Sequence, residues 1–577
     1  MSGRVSSAAA DANASGADAG GSGSGGSGSG DERPPASRTS MEKPSVEKPK
    51  PSGSDDDEPE ETAGKGHGGS GGRDAWAVPE PPAPSPLFAG LNTPRPAPVR
   101  PGTLWAALAT GLLSMLLLGD GLALNILLVA LPAALAAYFA AHAAGRRPRP
   151  WTLVWAVGGL ALLAVPALRD ASWPSFLAVV GAIALGSLAL HGGRTWPAML
   201  LGPIGVFNAL ATGPVWGWRG LRERFGGARG NMVTWLRALT VTALLLLVFG
   251  ALFAGADAAF ADLLGELIPD TSVSGGPWRV LLLAIGVVGA LAAAHTAASP
   301  LQWDRVDVPE GRARGRAEWT LPLVVLAALF AAFNAVQLAV LFGGYDAVLE
   351  ETGQTYAEYA RQGFWQLLLV TLLTLLVIVV ALRWAPRGGA RDRTLVRGVL
   401  GTLCVLALVV VASAVRRMDM YVDAYGLTRL RISVMAVELW LGLVIVLIMA
   451  AGVLGARWLP RAVAAGAAAG VLAFGLLSPD GLIAERNVQR YEDTGKFDLA
   501  YARDLSADAV PALDRLPEPL RSCALESLAD DLAEKDPPWY ATSWGEARAR
   551  DVLDENPLSP DADWSACRQV EAELSVR

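Results

Sequence analysis

From about residue 104 to residue 477 the chain repeats one pattern: long apolar runs separated by short, arginine-rich breaks. The run "GFWQLLLVTLLTLLVIVVAL" (Gly363 to Leu382) is typical. About 18 or more apolar residues with few charges is the length at which a helix crosses the hydrocarbon layer. The pattern predicts eleven spans, near 104–118, 121–143, 151–168, 174–191, 234–254, 278–298, 319–343, 364–383, 398–415, 432–454 and 460–477. The first is short and is expected to pair with the second around Gly119, Asp120 and Gly121. The stretch Trp196 to Trp218 is also apolar, but Gly202, Pro203, Gly213 and Pro214 interrupt it. Its tryptophans (Trp196, Trp216, Trp218) suit the headgroup layer, so it reads as re-entrant or interfacial.

The flanks differ from this core. Residues 1–100 hold a Gly/Ser repeat (Gly20 to Gly30), an acidic run (Asp55 to Glu61) and a proline-rich stretch (Pro79 to Pro101). Such composition buries too little apolar surface to offset its ordering entropy, which predicts a disordered tail. Its "GSGSGGSGSG" has GxGxxG-like spacing, but no strand precedes it and no helix follows, so it is not a phosphate loop. No signal-peptide pattern lies near Met1, and the first membrane helix is expected to direct insertion. Residues 478–577 read as a small helical tail. Leu499, Ala502, Leu505, Ala509 and Leu513 suggest one or two amphipathic helices there, with Ser506 available to cap the second. The fold class is therefore all-α: a polytopic transmembrane helical bundle with a disordered N-terminal tail and a small helical C-terminal tail.

Composition agrees. Hydrophobic residues make up 52% of the chain and charged residues 18%, against about 25% charged in soluble domains. The net charge of −7 is an average over unlike parts; from Asp480 to Arg577, 22 acidic residues face 11 basic ones. No clustered basic face points to nucleic acid. The expected partners are the lipid bilayer and proteins reached through the two tails. Lys/Arg excess marks cytoplasmic loops. Basic groups follow spans two (Arg146, Arg147, Arg149), six (Arg312, Arg314, Arg316), eight (Arg391, Arg393, Arg397) and ten (Arg457, Arg461). Eleven spans put all of them on one side, with the N-terminus cytoplasmic and the C-terminal tail extracytoplasmic.

One loop breaks that rule. "RRMDMYVDAYGLTRLR" places Arg416, Arg417, Arg429 and Arg431 on the outer side, together with Asp419, Asp423, Tyr421 and Tyr425. Glu438 follows two turns into the next apolar run. Ionisable groups at membrane depth mark function or internal pairing, so this cluster is either a charge-paired hinge or a ligand site. Tyr345 to Phe364 reads as an outer amphipathic helix. Asn125, Asn208, Asn334 and Gln337 are expected to bond between helices, and Gly466 with Gly470 to form a packing contact.

The chain carries no HExxH, CxxC, Walker loop or GxSxG, and its span-end histidines (His142, His191, His295) lack carboxylates at ligand spacing. No metal, cofactor or catalytic residue is expected. Of the three cysteines, Cys404 lies within a span and is expected to be a reduced, buried thiol. Cys523 and Cys567 lie in the outer tail, 44 residues apart, and are a candidate disulfide.

Three blocks, "TYAEYARQGFWQLLLV" (Thr355 to Val370), "RMDMYVDAYGLTRLRI" (Arg417 to Ile432) and "NVQRYEDTGKFDLAYARDLSADAVPAL" (Asn487 to Leu513), resemble bacterial multi-pass membrane proteins grouped as domains of unknown function 4153 and 4173. The resemblance covers roughly residues 202–513 and implies a membrane fold without an activity. Three functions fit the sequence. The favoured one is a non-enzymatic envelope protein that senses or scaffolds. The alternatives are a transporter of a small solute or ion and a membrane-embedded transferase acting on a lipid-linked substrate.

Overall fold

A computed structural model describes residues 96–119, 121–225, 276–306, 311–343, 356–386, 388–534, 537–560 and 564–576, with isolated helical positions between 241 and 250. The N-terminal tail up to residue 95, most of the predicted span 234–254, and residues 344–355 of the predicted outer helix lie outside the described residues.

The described regular structure is helical. In chain order it comprises α1 (Pro101–Leu117), α2 (Leu124–Ala143), α3 (Pro150–Leu163), the short α4 (Val165–Leu168), α5 (Ser172–His191), α6 (Trp196–Leu201), a 3₁₀ stretch Gly202–Asn208, α7 (Ala209–Phe225), α8 (Gly276–Ala298), α9 (Arg316–Gly343), α10 (Tyr356–Trp384), α11 (Ala390–Tyr425), α12 (Arg429–Leu454) and α13 (Leu459–Leu476). The C-terminal part holds α14 (Pro479–Thr494), α15 (Leu499–Arg503), α16 (Val510–Leu513), α17 (Leu520–Glu534), α18 (Trp544–Glu555) and α19 (Trp564–Val576). Proline in the first turn starts α1, α3, α13 and α14, where its missing N–H is no loss. Thr195, Thr428, Asp498 and Ser543 cap α6, α12, α15 and α18 with side-chain oxygens. Ser506 stands at the N-cap position of the 3₁₀ turn Ala507–Ala509, but its side chain makes no cap bond there, whereas Asp498 caps α15.

The chain is a multi-pass membrane protein. Ten helical segments among the described residues are long and apolar enough to cross a bilayer, and only helices or closed barrels satisfy their backbone there. Helix α1 has 17 residues and packs along α2 and α8. The α1–α8 crossing is close because Gly111 faces Val287 and Gly286 faces Ser114, and a side chain at either glycine would collide. Three groups share the membrane: α1, α2, α7 and α8 around one core, α3, α5 and α13 around a second, and α9 to α12 around a third. The tract Tyr356 to Phe364 is not a separate interfacial helix; it is the start of α10, which runs unbroken to Trp384.

Trp196–Arg224 also has the length and hydropathy of a span, yet its contacts place both its ends at one face. Gly193, just before α6, accepts from Arg461 at the start of α13. Ser187, near the end of α5, donates to the Gly202 carbonyl and accepts from the Val206 N–H. On the return, Gly213 and Gly217 pack on Leu291, Trp216 meets His295, and Arg224 donates to the Val99 carbonyl before α1. These partners lie in the last two turns of α5 and α8 and at the start of α1. The segment is a re-entrant hairpin, and α8 begins at the opposite face.

Among the described residues, Arg146, Arg224, Arg314, Arg316 and Arg461 gather at the face where α1, α3, α9, α11 and α13 start, whereas Arg169 and Arg279 lie at the other face. Arg146 ties two groups together at the first of these faces, donating to the Ala297 carbonyl at 2.5 Å and to Leu190 at 3.3 Å. The other face carries a helical cap, α14 to α19, with its own core built on Ile483, Val488, Leu513, Cys523 and Leu525.

Candidate functional site

The predicted polar cluster does not form one pocket. Its members separate into contacts within the α11–α12 hairpin, contacts between spans, and a joint to the cap.

Within the hairpin, Arg431 donates to the Tyr425 and Gly426 carbonyls, capping the end of α11. Its guanidinium stacks on Tyr421, 4.2 Å from the ring centre, while Tyr421 and Tyr425 meet edge to face at 5.1 Å. Arg416 pairs with Asp419 at 2.9 Å on the exposed surface, where such pairs contribute little.

Deeper in the bundle, Arg417 is buried and donates to Gln337 of α9 at 3.0 Å. Glu438 is fully buried and accepts from Thr371 of α10 at 3.0 Å. Asn334 donates to the Leu406 carbonyl. These are the interhelical bonds expected of polar groups in apolar surroundings. Asn125 differs: it folds the α1–α2 turn, accepting from the Ala123 and Ile126 N–H groups and donating to the Leu117 and Gly121 carbonyls. Asn208 ends the 3₁₀ stretch. Gly466 faces Leu443, whereas Gly470 faces open space.

The joint centres on Asp480, which sequence reasoning missed. Arg429 grips its carboxylate in a fork, Nε to Oδ1 at 3.0 Å and Nη2 to Oδ2 at 2.6 Å. Trp173 of α5 and the Ser506 N–H also donate to Asp480. Burial opposes ionisation of Asp480, but Arg429 outweighs it and holds the carboxyl below the usual range. Arg429 also donates to the Asp504 carbonyl, and its backbone N–H to the Tyr501 hydroxyl. Beside it, Asn487 makes a two-way bond with the Leu427 backbone. Arg490 donates to the Asp423 and Ala424 carbonyls. Asp423 thus takes part through its main chain.

A second latch joins the cap to the α4–α5 corner. Asp508 accepts from the Asp170 and Ala171 N–H groups, and Asp170 accepts in return from the Ala507 N–H. Arg169 stands 3.9 Å from Asp508. Burial dominates here and pushes the Asp508 carboxyl up to about 6. A third contact runs from the Asn125 N–H to the Tyr540 carbonyl. Between cap and bundle lies a polar cavity of about 520 Å³, lined by Arg169, Asp170, Ser506, Asp531 and Glu546.

Within the cap, Cys523 and Cys567 are joined in a disulfide, with Cα atoms 5.4 Å apart. Cys404 is a free, buried thiol. Trp539 is 73% exposed and Trp544 52%; they bracket Tyr540, whose carbonyl meets the start of α2.

Residues 156–516 match the family described as Domain of unknown function (DUF4153), and the chain belongs to that family. No curated protein and no solved structure matches it. Two of the three sequence blocks that carried the resemblance meet at the joint beside Asp480: Arg417 to Ile432 on the hairpin and Asn487 to Leu513 on the cap.

Proposed function

We propose that this is a non-enzymatic envelope protein that senses or scaffolds, its bundle holding the helical cap rigidly on the extracytoplasmic side and its N-terminal tail in the cytoplasm. The observation that carries the reading is the joint itself. Arg429 with Asp480 and Asp508 with Asp170 fasten one cap to two different helix groups, so a partner or ligand bound to the cap strains the bundle directly. The orientation is supported by the arginine-rich face opposite the cap and by the cap disulfide, which suits an oxidising compartment. The four arginines that break the charge rule are engaged by Asp419, Asp480, Gln337 and the α11 carbonyls, which offsets their pull toward the cytoplasm.

A second reading, transport of a small solute or ion, is favoured by one observation: Glu438 Oε2 is buried and has no hydrogen-bond partner among the described residues. Complementation of a deletion strain separates the two. Sensing or scaffolding requires that Glu438→Gln restores the deletion phenotype and that Arg429→Ala, at matched abundance, does not. The reverse pattern, with ion flux through proteoliposomes lost in Glu438→Gln, contradicts it.

A further inference from the structure

A cavity of about 530 Å³ separates the α1/α2/α8 group from the α3/α5/α13 group, within the size range of small-molecule sites. Its walls are small and apolar, among them Ala133, Ala137, Ala156, Gly159 and Gly186. Tyr138, Leu153 and Ile183 also line it and are about half exposed, so it opens sideways toward lipid. It is elongated along the membrane normal. Its lining runs on α2 from Ala141 to Ile126 and on α3 from Thr152 to Leu163, about 16–22 Å at about 1.5 Å per residue. The α3 wall is close to one leaflet of hydrocarbon, roughly half of about 30 Å, and the α2 wall reaches beyond it toward the arginine-rich face.

The end of the cavity at the arginine-rich face is charged. Arg146 and Arg147 both line it. Arg146 is committed to the Ala297 and Leu190 carbonyls and so closes the end of the cavity. Arg147 is exposed, and Thr152 and Tyr138 line the same end of the cavity. A leaflet-deep apolar slot ending at an exposed guanidinium complements one kind of molecule: an acyl chain carrying a phosphate.

We propose that this cavity binds an anionic phospholipid from the leaflet on the arginine-rich side, its phosphate at Arg147 and one acyl chain between α2, α3 and α5. The lipid would fill the gap between two helix groups that otherwise meet chiefly at their ends. This placement is independent of what the cap does.

Native mass spectrometry of the full-length, detergent-purified chain tests it, with phosphatidylglycerol and phosphatidylcholine of identical acyl chains as probes. The wild-type chain should prefer phosphatidylglycerol. Arg147→Gln should weaken that lipid about fivefold, the effect of one arginine near a phosphate, and erase the preference. Gly186→Leu should weaken both lipids, because it fills the slot. Neither change should disturb folding: Arg147 is exposed, and a Cβ at Gly186 meets nothing within 4 Å. Equal binding of the two lipids by the wild type overturns the proposal. So does wild-type affinity in either variant, since headgroup and chain are placed together, or equal binding of glycerol phosphate lacking acyl chains.

Discussion

Arg429, the first residue of the last long hairpin helix, and Asp480, the second residue of the first cap helix, are locked in a two-point ion pair of 3.0 and 2.6 Å. Asp480 is wholly buried, whereas Arg429 keeps partial access to water. The two partners are therefore not equivalent when one is removed.

Arg429→Ala strands a buried carboxylate and should cost about 3–5 kcal/mol. Asp480→Asn keeps one acceptor, for Trp173 or Ser506 but not both, and leaves a partly exposed guanidinium that water can serve, so it should cost less, about 1–3 kcal/mol. The double variant should recover part of the Arg429→Ala loss. Thermal unfolding followed by tryptophan fluorescence measures the order; equal losses in the two single variants would show that the pair does not hold the cap.

Asp508 makes docking of the cap pH-dependent. Its carboxyl is raised by burial from 3.8 to about 6, so its contribution is fully present below about pH 4 and is lost as pH rises through about 6. Charged groups facing it are Arg169 and Asp170, and Glu546 lines the same cavity as Asp170. Between pH 7 and pH 5 the docked state should gain stability, on the order of 1 kcal/mol. Asp508→Asn should flatten that part of the profile. Asp480, held low, acts oppositely and only at more acid pH. A docking stability that falls steadily from pH 7 to pH 5 in the wild type would refute the assignment.

The disulfide closes a 44-residue loop, which stabilises a folded domain by about 3–4 kcal/mol in the chain-entropy account. Cys523→Ser should lower the denaturant midpoint of the cap accordingly. The same drop should follow reduction of the wild type. A midpoint indifferent to reductant would mean the two thiols are not bridged in the native protein.

Asn125 satisfies four backbone groups in the α1–α2 turn. Asn125→Leu leaves them buried without partners, at about 1–3 kcal/mol each, partly relieved by relaxation. Membrane abundance should fall sharply while Asn125→Asp keeps part of it. Full abundance of the leucine variant would show that the turn forms without the amide.

The membrane helices were legible because twenty consecutive apolar residues can hardly do anything else. The re-entrant hairpin was legible too, from Gly202, Pro203, Gly213 and Pro214, which interrupt a run otherwise long enough to span. The joint was only half legible. Arg429 and Arg431 stood out as charges in an apolar region, but their partners lie 51 and more residues on, or in the main chain, and nothing periodic connects them. Asp480 and Asp508 are two of the 22 acidic residues from Asp480 to Arg577, and nothing in the pattern sets them apart. Their roles come from burial against α5 and the α4–α5 corner, which is a property of tertiary packing. Asn125 shows the converse: its burial was expected, but its partners are neighbours in sequence because a tight turn has no other source of hydrogen bonds.

The central claim is that the bundle holds the disulfide-closed cap on the extracytoplasmic side. Single cysteines placed by Asp554→Cys in the cap and Arg312→Cys at the arginine-rich face, both exposed positions, test it in a Cys404→Ser background. In intact cells a membrane-impermeant maleimide should label the cysteine at 554 and leave the one at 312 unlabelled until the membrane is opened. Labelling at 312 but not at 554 in sealed cells would contradict the account.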